Sequence, residues 1–179
     1  MRIVGGLYKR RLITYPDDAE HIRPTKDRIR EAIFSALNDL DGFTGVDLYS
    51  GSGAMGIEAL SRGCSFMTFV DKNKIAIDTT KKNISSLGIN NAEVLYMDDE
   101  TAIKLFIKEK RKFDILFLDP PYKLGRYEEI VSLFIKNDLL KEHAIIVIES
   151  DKDVAINEEY YSRRRDYKYG EIKVVILWR

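Results

Sequence analysis

Short apolar runs alternate with amphipathic segments along most of this chain. The runs are typical of buried strands, and the segments between them repeat apolar residues every three or four positions, as one face of a helix does. The predicted strands are 45–49, 66–70, 92–96, 115–118 and 144–149, and the predicted helices are 25–40, 54–62, 74–87, 100–110 and 127–135. Strands that alternate with helices predict an α/β fold, in which a mostly parallel, doubly wound sheet carries helices on both faces.

The two ends of the chain depart from this rhythm. Residues 158–167 and 172–178 predict two consecutive strands around Tyr169-Gly170, which form an antiparallel hairpin at the edge of the sheet. Residues 2–12 predict two short strands around Gly5-Gly6, a small β-hairpin that lies outside the core. We therefore predict a single domain over 1–179, with an N-terminal hairpin appendage over 1–22 and a Rossmann-like core over 23–179.

Composition limits what the chain can be. Its 179 residues and 45% hydrophobic content suit one globular domain, and its apolar runs are too short to span a bilayer. One cysteine, Cys64, and two histidines make a disulfide impossible and a zinc site poor, so we expect no metal. Because Met1 opens no secretory signal, we expect a cytoplasmic protein without membrane contact. The formal net charge is zero, but basic residues collect at both ends.

A glycine-rich loop lies between the first predicted strand and the helix 54–62. Gly51, Gly53 and Gly56 form a G-x-G-x-x-G pattern there, which lets the backbone and the free amides of a helix start approach a ligand. Asp71 closes the next strand about twenty residues later, where a carboxylate can bind ribose hydroxyls. These residues predict an adenosine-type ligand, either a dinucleotide or S-adenosylmethionine (SAM). Asp47, just before the loop, would repel a pyrophosphate but attract the amino or sulfonium end of SAM, and so favours SAM.

The tetrapeptide Asp119-Pro120-Pro121-Tyr122 follows the apolar run 113–118, at a strand end where open α/β sheets bind ligands. The prolines fix the backbone and remove two amide donors, so carbonyl and carboxylate acceptors remain beside the flat ring of Tyr122. Acceptors beside an aromatic ring suit a planar base that carries an amino group. An ordinary strand-ending turn is the alternative interpretation, because Asp and Pro are common in turns.

Asp98 ends the third predicted strand. Its carboxylate can accept a hydrogen bond from the amino group of an adenine at the same sheet edge. The position also suits the N-cap of the helix that begins near Glu100. The residues alone leave both roles open.

The order of these motifs resembles that of the class I SAM-dependent methyltransferases that modify exocyclic amines. A closer resemblance, to the RsmD family, covers nearly the whole chain. It rests on Arg2-Ile-Val-Gly-Gly, Arg10-Arg11-Leu, Arg23-Pro24-Thr25-Lys-Asp-Arg28-Ile-Arg30-Glu31-Ala-Ile-Phe34, Asp47-Leu-Tyr-Ser-Gly-Ser-Gly-Ala-Met-Gly-Ile-Glu-Ala-Leu and Phe117-Leu-Asp-Pro-Pro-Tyr. That family methylates N2 of a guanine, position 966 in the usual numbering, in 16S ribosomal RNA.

The resemblance implies two groups of site residues. The target base and its amino group would be held by Asp119, Pro120, Pro121 and Tyr122. The SAM pocket would be lined by Arg23, Thr25, Asp47, Tyr49, Gly51, Gly53, Gly56, Asp71 and Asp98, with Arg23 and Thr25 near the methionine end. The alternative for Arg23 and Thr25 is that they only begin a helix.

Basic residues near the N-terminus form a candidate RNA surface, since lysine and arginine bind phosphates without reading sequence. They are Arg2, Lys9, Arg10, Arg11, Lys26 and Arg28. The role of a second run, Arg163-Arg164-Arg165, is left open. A small neutral domain has little surface for reading sequence, so we expect a monomer that acts on 16S rRNA within a partly assembled small ribosomal subunit.

Three other functions remain to be weighed. A DNA adenine or cytosine amino-methyltransferase shares both loops but usually carries a separate target-recognition region, which this chain lacks. A nicotinamide dehydrogenase explains the glycine loop but gives no purpose to Asp47 or to the proline loop. A catalytically silent RNA-binding assembly factor is the third, and the intact Asp119 and Tyr122 argue against it.

Overall fold

The computed structural model describes residues 1–15, 27–37, 39–121 and 124–179, which form one mixed sheet of seven strands with five helices around it. The helices are α1 (Asp27–Ala36), α2 (Ala54–Ser61), α3 (Lys74–Leu87), α4 (Asp99–Lys108) and α5 (Tyr127–Lys136). The strands are β1 (Thr44–Leu48), β2 (Phe66–Asp71), β3 (Ala92–Tyr96), β4 (Phe113–Leu118), β5 (Leu140–Ser150), β6 (Arg163–Tyr169) and β7 (Ile172–Trp178). Among these described helices, none is long and apolar enough to cross a membrane.

The strand order is β3-β2-β1-β4-β5-β7-β6. The first five strands in this order are parallel, β7 runs antiparallel to β5, and β6 runs antiparallel to β7. This topology confirms the predicted doubly wound sheet and its antiparallel C-terminal hairpin. The chain continues from β1 to β2 and β3 on one side of the sheet and then returns to β4 on the other side of β1. The strand order reverses there, so a crevice opens at the carboxyl ends of β1 and β4, the usual ligand position in such sheets.

Alternate residues of the central strands enter two apolar layers. In β4, Ile115 and Phe117 pack in the layer that holds α1 and α2, whereas Leu116 and Leu118 pack in the layer that holds α4 and α5. A strand covered on both faces is apolar at nearly every position, which explains the continuous run 113–118.

The N-terminal segment is an antiparallel hairpin, as predicted, but its pairing is too short to form two regular strands. Its two halves pair at the bridge between Arg2 and Leu12, with backbone bonds from the Ile3 amide to the Arg11 carbonyl and from the Ile13 amide to the Met1 carbonyl, both at 3.0 Å. Contrary to the expectation that the segment lies outside the core, Ile3 and Ile13 are buried in the layer of α1 and α2. The physical reason is that the segment bonds to α2 as well as to itself: Leu7 donates its amide to the Ser61 carbonyl at 2.7 Å.

Strand boundaries near the C-terminus also differ from the predictions. Residues Glu158–Tyr160 form one 3₁₀ turn rather than the start of a strand, because the Asn157 side chain caps this turn by accepting from the Glu159 amide. β5 begins at Leu140, earlier than the predicted 144, because Leu140 already pairs with Phe113 before an irregularity in the register.

A buried charge cluster fixes the N-terminal segment to the domain. The carboxylate of Glu58, fully buried in α2, accepts from the Val4 amide at 2.9 Å, from Arg30 Nε at 3.4 Å and from Arg62 Nε at 2.7 Å. Arg30 of α1 is equally buried and also contacts Asp27 Oδ1 at 3.0 Å. Because both charges are buried away from water, each is stable only while its ionic and hydrogen-bond partners are present.

We expect Glu58→Ala to destabilise the protein by about 3–5 kcal/mol, because it removes the buried carboxylate that pairs with the buried Arg30 guanidinium. The matched control is Asp78→Ala, which removes one partner of the exposed Lys74–Asp78 pair at 2.6 Å and should change stability little. Urea unfolding measures both. Similar losses of stability in the two variants would contradict the structural role of the cluster.

Candidate active site

The glycine loop leaves β1 at the crevice and leads directly into α2. Gly51 and Gly53 have positive φ angles of 56° and 78°, which few other residues adopt. Gly56 serves a different purpose, since a Cβ there would lie 2.3 Å from Cε1 of Phe69 on β2. The first two glycines therefore shape the loop, and the third lets α2 pack closely on the sheet, a role that the sequence analysis did not assign to it.

Two strand-end carboxylates hold this loop by its amides. Asp47 Oδ2 accepts from the Gly56 amide at 2.9 Å, and Asp71 Oδ2 accepts from the Gly51 amide at 2.9 Å. Asp71 also accepts from the Asn73 amide at 2.8 Å through Oδ1. Each carboxylate oxygen can accept more than one hydrogen bond, so both acids keep capacity for a ligand.

Two polar side chains of α3 hold the same loop by its carbonyls. Thr80 Oγ1 donates to the Gly51 carbonyl at 2.8 Å, and Asn83 Nδ2 donates to the Ser52 carbonyl at 2.9 Å. Asn83 also bonds Thr14 in both directions, accepting from its amide at 2.9 Å and donating to its carbonyl at 3.0 Å. It thereby joins the N-terminal segment to the glycine loop. Sequence reasoning missed both residues, although polar residues on the buried face of α3 were the available signal.

Asp47 is buried in the crevice, and no described residue gives it a counter-charge. Burial raises its pKa to about 7; the hydrogen bond from Gly56 opposes this rise and the negative charge of Asp71 adds to it. No lysine or arginine forms an ion pair with Asp47 within the described part of the chain. A buried carboxylate that has no described ion-pair partner is suited to a cationic ligand, such as the amino group of a methionine moiety.

Asp119 follows β4 and lies on the same face of the sheet as Asp47. Desolvation, the carboxylate of Glu149 and then that of Asp47 raise the Asp119 pKa well above its usual range. Sequence reasoning missed Glu149, which ends the apolar part of β5 and is buried. The signal was an acidic residue at the end of a strand that is otherwise apolar. The site thus concentrates negative charge in a poorly hydrated crevice, which favours a ligand with cationic and hydrogen-bond-donor groups.

The described part of the proline loop lies next to these acids. The Pro121 carbonyl accepts from the Leu124 amide at 2.8 Å, while Pro120 is buried and Pro121 is exposed. Whether the tetrapeptide is an ordinary turn or a ligand-binding loop stays open at this point. Tyr122 lies outside the described residues.

Asp98 caps α4. It is exposed and its side chain accepts from the Thr101 amide at 2.7 Å, which lowers its pKa. The N-cap role is therefore confirmed, and contact with an adenine stays a prediction. Tyr49 follows β1 with φ at 63°, and burial followed by the charge of Asp99 raises the pKa of its hydroxyl.

The predicted RNA residues are brought only partly together. Arg2, Lys9, Arg10 and Arg11 are exposed on the N-terminal segment, beside Leu7 and Leu12, which are 80% and 75% exposed. Arg28 is exposed at the start of α1. Arg23, Thr25 and Lys26 lie outside the described residues. Among the residues described, no group of three or more His, Cys, Asp or Glu is arranged to hold a metal ion.

The model of the family described as Conserved hypothetical protein 95 matches residues 1–178. The chain belongs to this family. It is the RsmD family, whose motifs the sequence carries.

Individual relatives agree with this assignment. The "Putative rRNA methyltransferase YlbH" of Bacillus subtilis (strain 168) is 38% identical over 160 residues, which cover 88% of this chain and 86% of the relative. The "Ribosomal RNA small subunit methyltransferase D" of Escherichia coli (strain K12) is 33% identical over 152 residues, covering 84% of this chain and 75% of the relative. The solved structure titled "Putative methyltransferase yhhF from Escherichia coli" matches with a TM-score of 0.85 and 30% identity, over 100% of this chain and 97% of that one. The fold is therefore that of a class I methyltransferase.

We expect Asp47→Asn to stabilise the unliganded protein above about pH 7, since a buried acid whose pKa is raised favours the unfolded state once it ionises. The gain should shrink as pH falls from about 7 toward about 4, where the carboxyl is protonated in both states. Thermal unfolding across this range measures it, with the exposed Asp78→Asn as control. A constant difference between Asp47→Asn and wild type at all pH values would contradict the shifted pKa.

Proposed function

We propose that this protein transfers a methyl group from SAM to the exocyclic N2 of a guanine in 16S rRNA, at position 966 by family resemblance. The observation that carries the proposal is the pair of acids Asp47 and Asp119, which face one crevice from adjacent strands without a counter-charge among the described residues. A cationic methyl donor and an amine acceptor together complement this pair. The names of the relatives support an rRNA methyltransferase.

The SAM pocket is assigned to the glycine loop and its carboxylates. Asp47 would face the cationic methionine end, and Asp71 would accept from the ribose hydroxyls beyond the loop amides that it already binds. Arg23 and Thr25 would complete the methionine end. When bound, SAM supplies an electrophilic methyl group on a positively charged sulfur.

The acceptor nitrogen is assigned to Asp119 and Pro120. The lone pair of a guanine amino group is delocalised into the ring, so the nitrogen is a poor nucleophile. Because Pro121 already gives its carbonyl to Leu124, we assign the Pro120 carbonyl and the Asp119 carboxylate as acceptors for the two amino hydrogens. They would favour a pyramidal nitrogen aimed at the methyl carbon.

With SAM bound, the acceptor nitrogen would take the methyl group, and the electron pair of the broken S–C bond would leave with sulfur. The nitrogen would lose its proton after it had become positive, and Asp119, with its raised pKa, could receive that proton. Orientation by Asp119 therefore comes before proton loss.

The target base must be unpaired or flipped, because a stacked base cannot reach the crevice. Tyr122 would replace the stacking that the base gives up. We propose folded rRNA in a partly assembled small subunit as the substrate, with the protein acting as a monomer.

Asp119→Ala should reduce methyl transfer at least about a hundredfold, because it removes an acceptor that positions the nucleophile. SAM affinity, measured by calorimetry, should survive, since Asp47 and the glycine loop are intact. Asp78→Ala is the control for both assays. Loss of SAM binding together with activity would contradict this division of roles.

Mass spectrometry of rRNA from cells with and without the protein tests the target. We expect one N2-methylguanosine in 16S rRNA to disappear when the protein is absent. Purified protein with radiolabelled SAM should then label small subunits from the deficient cells and leave DNA unlabelled. Labelled DNA, or unchanged 16S rRNA, would overturn the proposal.

A further inference from the structure

The edge strand β6 presents alternating side chains on its two faces. Arg163, Arg165, Tyr167 and Tyr169 share one face, and Trp178 of β7 lies opposite Arg163 in the register. These five residues are here named the arginine–aromatic strip. Both arginines are exposed, and the three aromatic residues are partly exposed. The strip forms the outer margin of the sheet, because β6 is its last strand.

The strip carries positive charge that no described carboxylate neutralises. Arg163 and Arg165 lie over the Trp178 ring at 4.5 and 5.9 Å from its centroid, and neither forms an ion pair within the described residues. Arg164, on the opposite face, differs: it pairs with Asp166 at 2.8 Å and donates to the Val154 carbonyl at 2.8 Å. Arg164 is therefore structural, whereas the charges of Arg163 and Arg165 are available to a ligand.

The two tyrosine rings at the end of the strip lie nearly parallel to each other. The Tyr167 and Tyr169 rings are 6.4 Å apart and inclined by 11° to each other. Burial and the neighbouring Tyr167 raise the pKa of Tyr169, and the positive charge of Arg28 opposes this rise, which places Arg28 of α1 nearby. Aromatic faces beside arginines are the combination that binds unpaired nucleotides, because bases stack on the rings and phosphates pair with the cations.

The register links this strip to the candidate active site. Tyr167 pairs with Val174, and Val174 with Glu149, the residue whose charge acts on Asp119. Tyr167 and Val174 lie on the face of the sheet that carries α1 and α2. Three strand spacings of about 4.8 Å separate Asp119 from Tyr167, or about 15 Å in total. A few nucleotides of unpaired RNA span this distance.

We propose that the arginine–aromatic strip binds unpaired nucleotides that flank the base held at Asp119. This rests on the proposed function, which it deepens by adding a second RNA-binding surface beside the N-terminal cluster. Arg163 and Arg165 bind phosphates, and Tyr169 stacks a base. Binding is sensitive to salt and tolerant of sequence.

Binding of a fluorescein-labelled oligoadenylate, followed by anisotropy, tests the strip without methyl transfer. Replacing both arginines (Arg163→Gln with Arg165→Gln) should reduce the salt dependence of log K by about 0.7 for each phosphate that is no longer bound. Tyr169→Ala should weaken binding about tenfold, whereas Tyr169→Phe should retain it because the ring remains. Lys168→Gln removes one charge from the opposite face of the same strand and should change little. Trp178, the chain's one tryptophan, should change its emission on binding.

The same variants are then assayed for methylation of small subunits. We expect Tyr169→Ala and the double arginine variant to raise KM with little change in kcat, and Tyr169→Phe to behave as wild type. Equal oligoadenylate binding by all variants would overturn the strip as an RNA site. A variant that no longer methylates but still binds oligoadenylate fully would also overturn it, in favour of a ribosomal protein partner. Strip-dependent oligoadenylate binding without any methylguanosine product would support the strip and contradict the proposed function instead.

Discussion

The glycine loop is the feature on which the rest of the site depends, and it is held from two sides. Asp47 and Asp71 accept from its amides, while Thr80 and Asn83 donate to its carbonyls. A loop rich in glycine has many conformations in the unfolded chain, so these bonds must offset a large loss of entropy. The result is a preformed surface whose shape does not depend on the ligand. Asn83 also accepts from the Thr14 amide, so the N-terminal segment is held in position against the loop.

The same arrangement is unfavourable electrostatically. Asp47 is buried, Asp119 lies close to it and to Glu149, and no described lysine or arginine forms an ion pair with Asp47 or Asp119. Each unit of raised pKa corresponds to about 1.4 kcal/mol of preference for the neutral form. A protein selected only for stability would replace these acids, so their presence indicates a ligand that supplies the missing positive charge and hydrogen-bond donors. Repulsion between these acids is thus consistent with affinity for such a ligand.

Local patterns predicted the sheet well because its strands are covered on both faces and its helices on one, so periodicity records burial directly. They failed where partners are distant in sequence. The amides of the N-terminal segment bond to α2, more than fifty residues away, and a short-range pattern carries no trace of this. Asn83 and Glu149 were missed for the same reason, since their roles depend on which elements become neighbours. Asp98 shows the reverse case, where the local interpretation, an N-cap, was confirmed.

The zero net charge of the chain conceals how its charges are distributed. Many arginines are internally neutralised, as Arg30 is by Glu58 and Asp27 and Arg164 is by Asp166, and these contribute nothing to a phosphate. Among the described residues, arginines without an ion pair include Arg10 and Arg11 on the N-terminal segment and Arg163 and Arg165 in the arginine–aromatic strip. Under the proposed function, affinity for RNA depends on such local patches and not on net charge, because charges farther apart than about 8 Å are screened from one another at physiological salt. A neutral domain with two basic patches holds non-specific RNA weakly, and it gains affinity when one folded RNA reaches both patches and the crevice together.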